Sequence, residues 1–399
     1  MGQMRVKYKS VAELGEIVTG KTPSTEKAEY WRGNIPFITP TDIVGYDMRY
    51  IFDTERQVSD IGAISQKKTI IPPNSICVSC IASIGKMCIT SAERSITNQQ
   101  INTIIVKKDF DYRYIFYLLR HFLPYIQLIG AGTGSGTPII SKNKFSRLKY
   151  PMCDNIGLQK KIADILSAYD KLIEVNNERI KVLEQMAENL YKEWFVRFRF
   201  PGHETAKFEN GIPKGWEEQR LSDLANVVMG QSPSSEFYND DGIGMPFHQG
   251  VGSYGDFYLE DSTYSSEGTR IAEPNSIIFS IRAPVGRINL TLNRIILGRG
   301  VASINSKKRG NAFLLWQLKH LFSKEDTIGN GSIFTSVTRD ELLRQRMLVP
   351  DNETQQRFED IAEKVEKQLR WYYLANRNLI KQRDLLLPRL MNGKLEIHT

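Results

Sequence analysis

The longest regular pattern of apolar positions lies between Leu158 and Val196, a stretch without glycine or proline. Its apolar side chains recur every three or four residues, which places them in one stripe on an α-helix. Only a partner helix or a packed surface can bury so long a stripe. Asn176 interrupts it, and a buried asparagine can fix the register of paired helices. The stripe contains Leu158, Ile162, Ile165, Tyr169, Leu172, Ile180, Leu183, Met186 and Leu190.

A second long helical pattern runs from Glu353 to Met391, and Asn376 interrupts it as Asn176 interrupts the first. Gly393 is a plausible stop signal for this helix. We predict that the two helices pair antiparallel as a coiled coil; the alternative is two unrelated helices, each packed on its own domain. The residues predicted in the packing of the pair are Leu172, Asn176, Leu183, Leu190, Leu369, Asn376, Leu379 and Leu386.

Each long helix follows a globular segment, and the two segments repeat one another. LGEIVTGKTPS at Leu14–Ser24 returns as LANVVMGQSPS at Leu224–Ser234, and Pro73–Ile76 returns as Pro274–Ile277. The shared motifs keep their order along the chain, which indicates a duplicated domain-plus-helix unit.

Inside each copy, short β-rich runs are separated by Gly, Pro, Ser and Asn, and one amphipathic helix recurs, at Tyr112–Phe122 and Asn311–Phe322. The predicted fold class is therefore α+β: two repeated α/β domains with mainly antiparallel sheets, joined by two long antiparallel helices with pseudo-twofold symmetry. The predicted boundaries are 1–155 for the first domain, 156–197 for the first helix, 198–350 for a connector and the second domain, and 351–399 for the second helix and C-terminal tail.

Composition adds a preference for a polyanionic partner. The 399 residues carry a net charge of +8, although many basic proteins bind no nucleic acid. There is no apolar run long enough for a membrane span and no signal peptide, so we expect a cytoplasmic protein without a membrane partner. Cys77 and Cys80 form a C-x-x-C, but the second copy has no cysteine at the equivalent run, so we expect reduced thiols and no metal site.

A catalytic centre is not predicted. The glycine-rich run at Gly130–Gly136 resembles a cofactor loop, but a helical pattern precedes it and Thr137-Pro138 follows, whereas such a loop should follow a strand and open a helix. The five histidines are scattered, with no H-E-x-x-H motif. We therefore expect no catalytic residue and no cofactor in this chain.

Polar residues in the loops of both copies are the candidates for DNA contact. Arg, Lys, Asn and Gln can read base edges, and Ser and Thr can hold phosphates. For any single residue, turn chemistry or plain solvation is an equally good explanation. The predicted DNA-binding residues are Lys21, Thr22, Thr39, Thr41, Lys86, Asn98, Gln99, Gln100, Ser135, Gln231, Ser232, Gln249, Tyr254, Arg282, Arg287, Arg299 and Ser332.

Several stretches resemble the specificity subunit of type I restriction–modification systems. The opening LGEIVTGKTPSTEKAEYWRGNIPFITPTDI resembles the start of a target recognition domain, and PPNSICVSCIASIGK is similar to its central strand pair. GSGTPIISKNKFSRLKYPM and the helix after it resemble the end of such a domain. MAENLYKEWFVRFRFPGHE with GIPKGWEEQRLSDL resembles the junction to the second domain, and LLLPRLMNGKLEI resembles the usual C-terminus. The resemblance covers essentially the whole chain.

The resemblance implies a non-catalytic subunit in which each recognition domain reads one half of a bipartite double-stranded DNA target. It implies that the paired helices set the spacer and dock two modification subunits, which methylate adenine, and that two restriction subunits join them. S-adenosylmethionine, ATP and Mg would then belong to the partner subunits. The alternatives are a self-contained DNA methyltransferase or nuclease with a fused specificity domain, and a two-domain scaffold that binds only proteins.

Overall fold

The computed structural model describes residues 6–131, 137–308, 310–323, 327–328, 332–333 and 336–395. The chain forms two compact units, one from the residues up to Val175 together with those from Asn376 onward, the other from Asn176 to Ala375. Each unit contains one globular domain and a part of both long helices. The domain boundaries given above, which follow the chain rather than these units, remain a prediction.

Within the described residues, the first domain combines ten strands with five short α-helices. Its strands are β1 (Val6–Ser10), β2 (Gly15–Thr19), β3 (Trp31–Ile38), β4 (Tyr50–Ile51), β5 (Arg56–Val58), β6 (Ile76–Ser79), β7 (Met87–Thr90), β8 (Ile96–Thr97), β9 (Ile101–Val106) and β10 (Lys149–Cys153). Its helices are α1 (Val11–Leu14), α2 (Asp60–Ser65), α3 (Tyr112–His121), α4 (Leu123–Ala131) and α5 (Lys142–Arg147). The first long helix, α6 (Ile156–Tyr191), follows and continues into one π-helical turn, Lys192–Val196.

In its described part, the second domain has further short strands and three short α-helices. Its strands are β11 (Phe208–Glu209), β12 (Ile212–Pro213), β13 (Glu217–Arg220), β14 (Ala225–Met229), β15 (Tyr238–Asn239), β16 (Met245–His248), β17 (Tyr264–Ser265), β18 (Ile271–Ala272), β19 (Ile277–Ser280), β20 (Ile288–Leu290), β21 (Ile295–Leu297), β22 (Val301–Ser306), β23 (Thr327–Ile328), β24 (Ser332–Ile333) and β25 (Arg346–Val349). Its helices are α7 (Leu221–Leu224), α8 (Ala312–Leu321) and α9 (Arg339–Leu343). The second long helix is α10 (Asn352–Met391).

The two domains share one sheet topology, which confirms the repeat. The main sheet has the order β2-β9-β6-β7-β4 in the first domain and β14-β22-β19-β20 in the second. In both, a second sheet contains one parallel pair, β3 with β8 and β16 with β21. The other pairings of these sheets are antiparallel except that of β4 with β7, as the mainly antiparallel prediction requires.

The core of each domain lies between the main sheet and one amphipathic helix. In the first domain α3 is buried from Tyr114 to Arg120, and in the second α8 is buried from Ala312 to Leu318. Asp111 caps α3 by accepting hydrogen bonds from the amides of Arg113 and Tyr114, at 2.9 and 3.2 Å. These helices begin and end within one residue of the predicted ranges.

In the first unit, the start of α6 and the end of α10 pack together antiparallel. Ile162 and Leu166 share one core with Leu387 and Leu390, and further along the pair the Asp170 carboxylate accepts a hydrogen bond from Arg383 at 2.6 Å. Residue numbers rise along one helix as they fall along the other, which confirms the predicted direction.

The second unit shows the same direction with different residues. The rings of Tyr191 and Phe358 lie 6.1 Å apart, and nearer the other end the Arg179 guanidinium lies 5.5 Å from the Tyr372 ring. Leu369 is fully buried in this core, and Leu183 and Leu190 pack against it half-buried.

The buried line of α6 differs from the predicted stripe by about one position. Gln159, Leu166 and Asp170 are buried, whereas Leu172 is 53% exposed, so the predicted packing role of Leu172 is wrong. The reason is that Asp170 turns inward to meet Arg383, which rotates Leu172 away from the core. Asn176 and Asn376 are each only 7% exposed, and Leu379 and Leu386 are half-buried.

Cys77 and Cys88 lie opposite each other on the adjacent strands β6 and β7, and all four cysteines are buried free thiols. Within the part of the chain that the structure describes, no helix is long and apolar enough to span a membrane.

Candidate nucleic-acid interface

Three loops of the first domain meet at one edge of its sheets. The Gly20 amide after β2 donates to the Ile101 carbonyl at 3.2 Å, and the Asn98 amide after β8 donates to the Ile38 carbonyl at 3.1 Å. Since β3 and β8 are parallel and end side by side, Thr39 and Asn98 follow neighbouring strand ends. The chain segments that carry most of the DNA contacts predicted for the first domain are therefore gathered in one place.

Hydrogen bonds between the predicted residues hold this edge in shape. The Thr22 hydroxyl donates to Gln99 Oε1 at 2.8 Å, and Asn98 Nδ2 donates to Gln100 Oε1 at 3.0 Å. We name these residues together the first reading edge. The first reading edge consists of Lys21, Thr22, Thr39, Thr41, Lys86, Asn98, Gln99 and Gln100.

Several side chains of the first reading edge are open to a partner. Lys21, Thr41 and Gln99 are exposed, and the other five residues are half-buried. Amide groups of Asn and Gln offer a donor and an acceptor together, which matches the edge of adenine in the major groove. Ser135 was also predicted here, but it lies outside the described residues.

An equivalent edge forms in the second domain around the turn Gly298–Gly300. The Gln231 amide donates to the Leu297 carbonyl at 2.9 Å, and the Gly298 amide donates to the His248 carbonyl at 2.8 Å. The Arg299 amide donates to the Ser232 hydroxyl at 3.1 Å. These bonds define the second reading edge as Gln231, Ser232, Gln249 and Arg299, with Arg282 beside it.

Glycine at this turn is required by the close approach of Gln249. A Cβ added at Gly300 would lie 2.2 Å from the Gln249 carbonyl oxygen, and one at Gly298 would lie 2.7 Å from its Cα. The absence of side chains therefore lets the Gln249 backbone lie directly against the turn, while its side chain stays exposed.

A buried histidine, held by two polar contacts, precedes Gln249 of the second reading edge. His248 is fully buried, with Nδ1 2.7 Å from the Ser253 hydroxyl and Nε2 3.1 Å from an Asp261 carboxylate oxygen. His248 precedes Gln249 directly, so these two bonds fix the chain from which the glutamine projects.

The three predicted arginines do not all join the edge. Arg282 is exposed and follows Ile281, whose amide donates to the Gly300 carbonyl at 2.9 Å. Arg287 is exposed as well, but it lines a cavity of about 450 Å³ beside α6, together with Lys181 and Glu188. Its role in DNA contact remains a prediction with less geometric support than that of Arg299.

Tyr254 and Ser332 of the second domain were also predicted to contact DNA. Tyr254 packs against the core cluster around Leu259 and Leu297, and its hydroxyl is buried, which raises its pKa far above the ordinary value. A buried hydroxyl cannot reach DNA, so the predicted role of Tyr254 is corrected to core packing. Ser332 lies in the short strand β24.

A further cationic groove in the first domain was not predicted from the sequence. A cavity of about 510 Å³ is lined by Trp31, Arg32 and Arg56, among others. The Arg56 guanidinium lies 4.7 Å from the Trp31 ring and 5.0 Å from the Phe37 ring, and Trp31 Nε1 donates to the Ser24 carbonyl at 3.0 Å. Only the pairing of β3 with β5 brings Arg56 to Trp31.

Residues 5–185 and 213–371 both match the family model described as the type I restriction modification DNA specificity domain. The chain belongs to this family. The two matches together cover most of the sequence and correspond to the two copies of the repeat, so this specificity-domain protein carries the family's domain twice.

Curated relatives extend the likeness over the whole length. The chain is 27% identical over 407 residues to the type I restriction enzyme MjaIX specificity subunit of Methanocaldococcus jannaschii, with 98% of this chain and 93% of that one covered. It is 29% identical over 329 residues to the putative MjaX specificity subunit of the same organism, with 79% and 76% covered.

A solved structure has a similar fold. The S subunit of a type I restriction–modification system from M. genitalium superposes with a TM-score of 0.62 at 15% identity, covering 100% of this chain and 98% of that one. At this identity the likeness speaks for the fold alone.

Proposed function

We propose that this chain is the DNA specificity subunit of a type I restriction–modification complex, with no catalytic step of its own. The observation that carries the proposal is that both halves match the DNA specificity domain model. Each domain then reads one half of a bipartite target through its own reading edge. S-adenosylmethionine, ATP and Mg are bound by partner subunits in this proposal, and the complex works in the cytoplasm.

The two reading edges support two different specificities. The first presents hydroxyl and amide side chains with Lys21 and Lys86, whereas the second combines Gln231 and Gln249 with Arg299. Asn and Gln pair with adenine, and Arg pairs with guanine, through two hydrogen bonds each. The same backbone topology therefore presents different side-chain chemistry to the two half-sites.

The long helices supply the other part of the proposal. Along α6, Leu172 and Val175 are exposed in the first unit, and Val182 and Met186 are exposed in the second. Exposed apolar side chains at helical spacing indicate a surface that another protein covers. We assign it to modification subunits, two of which would bind, followed by two restriction subunits, while the helix pair sets the DNA spacer.

The test is a domain exchange in cells that also contain the modification subunit. Residues 7–154 are replaced by the matching domain of a relative, and methylated adenines are mapped across the genome for both chains. One half of the target should change while the other half and the spacer stay the same. A change in both halves, or a wild-type chain that directs methylation without sequence preference, would refute the proposal.

A further inference from the structure

The segment between β3 and β4, residues 39–49, has its two ends fixed by different parts of the first unit. Here it is called the linking loop. At its first end the Thr39 amide donates to Asp42 at 2.8 Å, and Lys86 Nζ donates to the Pro40 carbonyl at 3.3 Å. Ile43, which follows, is fully buried. This end of the linking loop is thus built into the first reading edge.

The other end of the linking loop meets the long helices through charge. Asp47 forms ion pairs with Arg120 on α3 and, at 3.1 Å, with Arg383 on α10. Both arginine side chains are almost completely buried, at 7% and 3% exposure, whereas Asp47 is 65% exposed. The carboxylate therefore covers two buried guanidinium groups from the solvent side.

The charge count explains why Asp47 matters at this place. Two buried arginines meet one buried carboxylate, Asp170, which pairs with Arg383 at 2.6 Å. Burial and the nearby Arg383 lower the pKa of Arg120 to about 10. Asp384 is half-exposed beside Arg383, at 2.8 Å. Asp170 and Asp384 form their ion pairs with Arg383, so Asp47 is the carboxylate that pairs with Arg120.

Arg49 forms a second attachment two residues later. Its Nε and Nη2 donate to the two carboxylate oxygens of Glu174 on α6 at 2.9 and 2.6 Å, and its Nη1 donates to the Ser167 carbonyl at 3.3 Å. A two-pronged guanidinium–carboxylate pair fixes orientation as well as distance. The loop end is thereby held to both long helices, to α10 by Asp47 and to α6 by Arg49.

We propose that Asp47 and Arg49 are positioning residues for DNA recognition: they hold the first reading edge in a fixed orientation on the helix pair. They touch no base themselves. Because the linking loop runs directly from Thr39 and Thr41 to these ion pairs, releasing its far end lets the near end shift. The inference rests on the proposed DNA-reading function and adds the residues on which the first half-site depends.

The experiment uses the full chain in complex with its modification subunit and three duplexes. One carries the cognate target found by methylation mapping, one has the first half-site scrambled, and one has the second half-site scrambled. Asp47→Asn should weaken binding to the cognate duplex on the order of tenfold, as expected for a coupled charge network. Discrimination against the scrambled first half-site should fall, and discrimination against the scrambled second half-site should not.

A matched control lies in the same domain. Asp60 pairs with Arg94 at 2.7 Å, both side chains are exposed, and neither residue belongs to a reading edge or touches a long helix in the described contacts. Asp60→Asn makes the same chemical change and should leave both discriminations at the wild-type level. Equal behaviour of Asp47→Asn and Asp60→Asn would overturn the inference.

Charge exchange separates positioning from general stability. Arg49→Glu alone should lose first-half-site discrimination, and adding Glu174→Arg should restore most of it, because the pair is rebuilt with the charges reversed. If the single variant weakens all three duplexes alike and lowers the melting temperature to match, Arg49 is merely structural and the inference fails. If the wild-type complex binds the three duplexes equally, the proposed function itself is wrong.

Discussion

The two domains attach to the long helices at equivalent places with different chemistry. Tyr50 in the first domain and Tyr258 in the second occupy the same position, since each pairs in parallel with the equivalent strand, at Ile89 and Leu290. Just before Tyr50 stand Asp47 and Arg49, with their ion pairs. The ring of Tyr258 itself lies 4.8 Å from that of Tyr373 on α10, and Phe257 before it is fully buried with its ring 6.1 Å from that of Trp316.

The helix residue that faces this segment differs in partner rather than in charge. Arg120 near the end of α3 and Lys319 near the end of α8 are equivalent, since each is followed by a histidine. Arg120 pairs with Asp47, whereas Lys319 Nζ lies 4.1 Å from the Phe257 ring. Ion pairs are directional and screened by salt, while aromatic burial has neither property. The duplicated scaffold therefore tolerates either kind of attachment.

The buried acids of the two helix pairs also differ in their partners. Asp170 on α6 has Arg383 and Tyr117 as partners. Glu366 takes the corresponding place on α10, and its Oε1 has no hydrogen-bond partner in the described part of the chain. Burial, with Glu359 and Glu363 nearby, raises its pKa to about 8. The first unit pairs its buried acid with an arginine, whereas burial in the second unit favours the protonated form of Glu366.

The largest effect should come from removing the buried ring of Phe257, next to the contact of Tyr258 with α10. Phe257→Ala leaves a cavity in the core of the second unit and should lower the free energy of unfolding by about 3–5 kcal/mol. Phe52→Ala, at a ring that is 76% exposed, should change it little. Denaturant unfolding measures both. A small effect at Phe257 would mean that aromatic packing contributes little to the core of the second unit.

The buried acid Glu366 predicts a pH dependence for the second unit. The folded pKa of Glu366 is raised above the ordinary 4.5 to about 8. Between these values the folded state holds a proton that the unfolded state has lost. Stability should therefore fall as pH rises from about 5 to 8, by at most about 1.4 kcal/mol per pH unit for one proton. Glu366→Gln should flatten this slope in thermal unfolding.

The control for the pH dependence is Glu353→Gln, because Glu353 is exposed and pairs with Arg357 one turn away. This variant should keep the wild-type slope. A slope that survives in Glu366→Gln would assign the titration to another group and remove the contrast between the two acids.

The reading edges predict an effect on DNA rather than on stability. Arg299→Ala should cost about 1–3 kcal/mol of binding free energy, at one base pair if Arg299 reads a base and on all sequences alike if it holds a phosphate. Arg294→Ala provides the comparison, since Arg294 is exposed and pairs with Glu273 at 3.0 Å. Binding titrations over single-base variants of the target distinguish the outcomes. Equal affinity of both variants would exclude Arg299 from the interface.

The smallest effect concerns salt. Arg49→Met removes an ion pair whose acid, Glu174, is half-exposed, so it should cost about 0.5–1 kcal/mol of stability at low salt and less at high salt. Unfolding at two ionic strengths measures this difference. The cost of Phe257→Ala should not depend on salt, and a salt-dependent cost there would contradict the comparison.

Sequence alone predicted the duplication and the two long helices, and its motifs resemble those of the family. Each of these rests on local pattern: motifs that return in order, and apolar spacing that only a helix satisfies. The loops of the reading edges were also recognisable, because polar residues beside Gly and Pro at strand ends mark turns. Thr22, Asn98, Gln99 and Gln100 were predicted in this way. The hydrogen bonds of Thr22 with Gln99 and of Asn98 with Gln100 then defined the edge.

Only the tertiary structure decided which side chains are inside. Leu172 fits the apolar stripe, but Asp170 is buried in its place, because Arg383 arrives from the far end of the chain to neutralise it. From its place in the sequence Tyr254 was predicted to be a polar loop residue, but its ring packs against a core formed by strands distant in sequence. Local pattern carries no information about such distant partners, and burial of a charge or a hydroxyl depends on whether a partner is there.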